Sequence, residues 1–149
     1  MHTENVIVMK ASREAIFETA ADLSRWPEIL PHYRWIRYLE RSPERNVVTM
    51  AARRGWIPVR WTSEQTIDRK RMEIRFHHLK AFTKGMVVTW SFTPAKEGVT
   101  VKIRHDLKAT LPLIGGFIVD VIIARYFISY IAQQTLTHMR NAVESKHGT

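Results

Sequence analysis

The chain has 149 residues, a formal charge of +9 and no cysteine. That length suits a single domain, residues 1–149, with one core, and the apolar content is that of a globular protein rather than a disordered one. Disulfides, thiolate nucleophiles and thiolate metal sites are excluded, which fits a reducing compartment. The opening MHTENVIVMK has no basic run followed by an apolar stretch, so a secretory signal is not expected. The expected location is the cytoplasm, with peripheral membrane contact as a possible addition.

In chain order, ENVIVMKAS reads as a strand leading to Ser12, a helix N-cap. REAIFETAADLSRW then sets Ile16, Phe17, Ala20 and Leu23 at helical spacing. Pro27 and Pro31 bracket PEIL, a second short helix or turn at a changed angle. From Arg34 the pattern has period two, and it predicts strands over Trp35–Arg41, Val47–Ala52, Val59–Ile67, Met72–Leu79, Met86–Thr93 and Val99–Leu107. The intervening SPERN, RRGWIP, DRKR, AFTKG and PAKEG supply the glycine, proline, asparagine, aspartate or charge clusters that hairpins need.

After Ala109 the period changes again. Thr110 is a cap candidate and Pro112 falls in the first turn of one long carboxy-terminal helix. Between Leu113 and Ala132 its only charges are Asp120 and Arg125. Those charges, the adjacent glycines and the polar tail from Gln133 argue against a membrane span and for a helix that covers a sheet. Its spare apolar face would suit a second copy of the chain or a membrane surface. The order is strand, helix pair, six strands in hairpins and a long helix: an α+β arrangement with a mainly antiparallel sheet.

FETAADLSRWPEILPHY resembles the F-x-x-x-x-D-hydrophobic-x-x-[WY]-P-x-[FIL]-[FL] signature of the START-like (SRPBCC) superfamily, through Phe17, Asp22, Leu23, Trp26, Pro27, Ile29 and Leu30. VVTWSFTP is similar to the superfamily's W-x-[FY]-x-P strand, through Trp90, Phe92 and Pro94. The superfamily includes polyketide aromatase/cyclases, coenzyme Q-binding proteins and a ribosome-association relative. The resemblance implies the helix-grip fold, a curved antiparallel sheet around a long carboxy-terminal helix with an apolar cavity inside. It also gives VRWTSEQTI a use. The aromatase/cyclases carry W-x-S-x-R on the equivalent strand, all three side chains facing the cavity. Trp61 and Ser63 match, but Gln65 stands at the arginine position. His78 stands where those enzymes place a second arginine. A guanidinium holds and polarises ketone oxygens or stabilises an enolate, whereas an amide only orients a carbonyl.

The residues expected to line the cavity are Trp26, Tyr33, Met50, Trp61, Ser63, Gln65, His78, Trp90, Ile103, His105, Phe117 and Val121. The aromatics among them offer flat faces to a ligand or pack as ordinary core. Ser63 and Gln65 need partners if buried, because an unpaired amide or hydroxyl costs about 1–3 kcal/mol. His105 shares the inner face of Val101, Ile103 and Leu107, where a neutral imidazole can meet a carbonyl or quinone oxygen or a backbone group. If catalysis occurs, Ser63, His78 and His105 are its candidates. The chain has no G-x-S-x-G, no Gly-rich phosphate loop and no H-E-x-x-H. The seven histidines form no metal-ligand pattern, and neither metal nor cofactor is expected.

The favoured reading is non-catalytic binding, and transport, of a hydrophobic small molecule: a lipid, an isoprenoid quinone or a polyketide-like aromatic. The basic exterior would suit contact with an anionic membrane. The alternative is a polyketide aromatase/cyclase or dehydratase. A third reading is ribosome or RNA association, which the single interleaved aromatic of the basic loops, Trp56, supports poorly.

Overall fold

The computed structural model describes residues 2–80, 83–107 and 116–147, with side chains of the last segment described over 125–145. Strand β1 (His2–Met9) leads to Ser12, whose Oγ accepts from the Ala15 amide at 3.1 Å and caps helix α1 (Arg13–Ala21). Asp22 ends α1 and caps the following 3-10 turn through the Ser24 amide. Pro27 lies in the first turn of the short helix α2 (Trp26–Ile29), where its missing N–H costs nothing. Six strands follow: β2 (Tyr33–Glu40), β3 (Arg45–Arg54), β4 (Ile57–Asp68), β5 (Glu73–His78), β6 (Val87–Ala95) and β7 (Gly98–Asp106). Each falls where the alternation predicts it, with ends displaced by a residue or two. Helix α3 runs over Gly116–His147. The expected cap Thr110 and first-turn Pro112 lie outside the described residues.

One antiparallel sheet has the order β1-β7-β6-β5-β4-β3-β2. β2 to β7 are successive hairpins, while β1 and β2 occupy opposite edges. Helices α1 and α2 therefore cross one end of the sheet to join them. Register shifts between Tyr33 and Trp35 and between Tyr38 and Glu40 break the β2–β3 ladder, and such bulges bend an edge strand and add twist. On α3, Ile128, Ile131, Ala132, Leu136, Met139 and Val143 are buried at helical spacing, and the helix packs against β1, β3 and β7.

The residues of the two sequence signatures form much of the core. Phe17, Leu23, Trp26, Leu30, Trp90 and Phe92 are all buried. Phe17 meets Phe92 edge to face at 5.3 Å, and the Arg13 side chain donates to the Phe92 carbonyl at 2.9 Å. At the β6–β7 turn, a Cβ on Gly98 would lie 2.4 Å from the Met9 carbonyl oxygen, so only glycine lets β1 seat beside that turn.

Candidate functional site

Between the inner face of the sheet and α3 lies a cavity of about 70 Å³. Trp26 and Tyr33 wall it from α2 and β2. Met50, Val59 and Trp61 come from β3 and β4, Phe76 and His78 from β5, and Val88, Trp90, Ile103 and His105 from β6 and β7. Phe127, Ile128, Ile131, Ala132 and Thr135 of α3 form the facing wall, and Thr83 and Met86 of the β5–β6 loop join the lining. The volume is below the roughly 300–1,000 Å³ of a drug-sized site, so a polycyclic ligand enters only if wall side chains move.

Ring packing makes the wall aromatic. Trp26 touches Tyr33, Trp90 and Phe76 with centroids 5.3, 5.8 and 6.1 Å apart. Tyr33 meets Trp61 at 6.0 Å, and Trp61 lies parallel to the His78 imidazole at 5.9 Å. Tandem histidines on a strand must diverge, and they do: His77 is exposed and His78 buried.

The polar groups of the wall are few. His78 Nδ1 lies 2.8 Å from Thr83 Oγ1. Burial, then the neighbouring His105 and His77, lower the His78 pKa to about 3. Burial likewise lowers His105 to about 4, against the opposing pull of Asp106. Both imidazoles are therefore neutral at neutral pH. His105 Nδ1 is buried and has no hydrogen-bond partner among the described residues. Asp106 faces outward and pairs with His2 and Arg104.

Of the expected wall residues, Trp26, Tyr33, Met50, Trp61, His78, Trp90, Ile103 and His105 come together around the cavity. The side chains of Phe117 and Val121 lie outside the described residues. Gln65 is a correction. It is fully buried but does not line the cavity; its Oε1 accepts from Asn46 Nδ2 at 2.8 Å and its Nε2 donates to the Ala21 carbonyl at 3.1 Å. Those bonds tie β4 to β3 and to the end of α1, so the amide serves the scaffold rather than a ligand. Ser63 is also fully buried outside the lining, cross-strand from His78, and its Oγ has no partner among the described residues.

Sequence reasoning missed His32 and the part of the α3 wall from Phe127 to Thr135. His32 Nε2 lies 2.8 Å from Thr135 Oγ1, which donates to the Ile131 carbonyl at 2.6 Å. The Tyr33 phenol also bonds Thr135, and burial pushes its pKa up. Burial and then His138 lower the pKa of His32 to about 4. The spacing Phe127, Ile131, Thr135 was the available signal for this face, but the helix is apolar over much of its circumference.

A family model described as polyketide cyclase / dehydrase and lipid transport matches residues 9–123. The chain belongs to that family. Among curated members, a putative polyketide cyclase of Streptomyces cyaneus is 27% identical over 131 residues, covering 81% of this chain and 83% of that protein. Two solved structures share the fold. The Thermus thermophilus protein TTHA0849 superposes with a TM-score of 0.81 at 20% identity, over 98% of this chain and 99% of its own. The Zhui aromatase/cyclase of Streptomyces sp. R1128 gives 0.80 at 17% identity, over 97% and 93%. The helix-grip fold is thus that of the family's aromatase/cyclases and START proteins. Among the described residues no helix is long and apolar enough to cross a membrane.

Proposed function

We propose that the protein binds a ketone-bearing, polyketide-like aromatic precursor in the helix–sheet cavity and promotes its cyclisation or dehydration. The observation that carries this reading is His105, a neutral imidazole whose Nδ1 has no partner among the described residues, in the wall of a largely aromatic and apolar cavity. The names of the curated relatives also favour it over carriage alone. His105 is the general base, since its lone pair is available without prior deprotonation. It takes a proton from a methylene flanked by two carbonyls. The resulting carbanion bonds to a further carbonyl carbon of the same molecule, and the imidazolium returns the proton to the new alkoxide. Removal of a second α-proton then expels the hydroxyl as water, a sequence that needs no oxidant. His78, in the tautomer whose Nδ1 accepts from Thr83, presents Nε2–H to a ketone oxygen. Trp26, Tyr33, Trp61 and Trp90 hold the flat substrate by their faces.

A second reading, carriage of an apolar ligand without chemistry, is favoured by one observation: among the described residues no Lys, Arg, Asp or Glu lines the cavity. A developing enolate meets no guanidinium or ammonium there, and neutral donors stabilise it less than a guanidinium does. The test is turnover of a poly-β-ketone mimic followed by mass spectrometry, alongside its binding. Cyclised or dehydrated product is expected from the wild type, with a loss of about 10²-fold in His105→Gln. Binding without acceleration overturns the reaction and leaves carriage; absence of binding overturns both.

A further inference from the structure

The β3–β4 hairpin turns through Gly55 and Trp56, with Gly55 at φ +61°, the left-handed conformation a two-residue turn demands. Trp56 is 89% exposed. A tryptophan so placed adds nothing to the core, and the hairpin is not free to fold it back. Arg54 lies over the Tyr126 and Tyr130 rings of α3 at 3.9 and 4.4 Å, which clamps the turn beside the helix. The surroundings are basic. From Met50 to Ser63 there is no acidic residue, and Arg53 and Arg60 are exposed. Arg125 and Tyr126 are exposed on the adjoining turn of α3. The β5–β6 loop leaves the sheet at this same end and adds the exposed Lys80 and Lys84. Val59, Trp61, Phe127 and Ile128 of the cavity wall lie next to the clamp.

We propose that this tip docks on an anionic lipid surface: Trp56 enters the headgroup layer, and Arg53, Arg60 and Arg125 face lipid phosphates. Docking brings the adjoining end of the cavity to the bilayer. Charge complementarity and footprint select a lipid partner. An indole rimmed by arginines has the amphipathic character of residues at membrane–water interfaces, and the whole chain carries +9. A two-residue turn is far smaller than the roughly 800 Å² per partner of a stable protein interface, whereas insertion among lipids needs no complementary shape. Docking of this kind does not depend on the chemistry in the cavity.

Cosedimentation of the full chain with phosphatidylcholine vesicles, with and without phosphatidylglycerol, tests it. Binding is expected only with phosphatidylglycerol and falls as salt is raised. Trp56→Ala weakens partitioning by about tenfold and abolishes the vesicle-induced blue shift of tryptophan emission. Each of Arg53→Gln and Arg60→Gln costs about fivefold. Because the Trp56 side chain is almost wholly exposed, its variant keeps the wild-type melting curve. Failure to bind anionic vesicles overturns the proposal. So does unchanged binding by Trp56→Ala, which would mark adsorption of a basic protein through its general charge.

Discussion

Gln65 and His105 occupy the same row of the sheet: Gln65 pairs with Phe76, Phe76 with Val88 and Val88 with His105. Both are buried on the inner face and both are polar, yet they do opposite things. Gln65 lies beneath the end of α1, and its amide is bonded at both ends. His105 lies in the cavity wall, and its Nδ1 has no partner among the described residues. Burial of a polar group does not by itself mark a site. Hydrogen-bonding capacity left open beside a void does, because the fold has carried a desolvation cost without recovering it locally.

The widest way to break this comparison is to remove Gln65. Gln65→Leu strands the Asn46 amide and the Ala21 carbonyl, and it should cost about 2–5 kcal/mol in denaturant unfolding while leaving ligand affinity unchanged. A loss of affinity with intact stability would mean that Gln65 belongs to the site after all. Acid comes next. His32, His78 and His105 have pKa values lowered to about 4, 3 and 4 from an ordinary 6.5. The unfolded chain therefore binds more protons than the folded one below pH 6.5. Stability is complete above that pH and falls as pH drops through 6.5 towards 4 and 3. Unfolding midpoints at pH 7 and pH 5 check the sign, and His105→Phe should flatten part of the slope. Ser63→Ala sharpens the contrast at small scale. Removing a buried hydroxyl with no partner among the described residues should leave stability unchanged or raise it by up to about 1 kcal/mol. A clear destabilisation would show that Ser63 Oγ is satisfied in solution. Smallest is Trp56→Ala, expected within about 0.5 kcal/mol of wild type by thermal melting.

What could be read in advance divides along physical lines. Period-two alternation and the hairpin punctuators placed all seven strands, since strand faces and turns are set by neighbours in sequence. Ser12 as cap and the helical spacing of Ile16, Phe17, Ala20 and Leu23 were legible for the same reason. Gln65 was not. Its partner is the Ala21 carbonyl, 44 positions away, and no local pattern says which part of the inner face packs under a helix and which faces a void. His32 was hidden similarly, because its side-chain partner, Thr135, is 103 positions distant. The lower part of the helix wall went unnamed for another reason. A helix apolar around much of its surface does not announce its register, so Phe127, Ile131 and Thr135 went unnamed.

The Arg54 clamp has a mechanical corollary. It rivets the β3–β4 ribbon to α3, so two opposing walls of the chamber are braced against spreading. At the β5–β6 loop the tie is hydrogen bonding instead, with Thr83 held to the sheet by its bond to His78 and Met86 by backbone contacts. The chamber is thus pinned on two sides, by a stacked cation where the hairpin meets the helix and by hydrogen bonds where the β5–β6 loop meets the sheet, so room for a larger guest has to come from rotation of wall side chains.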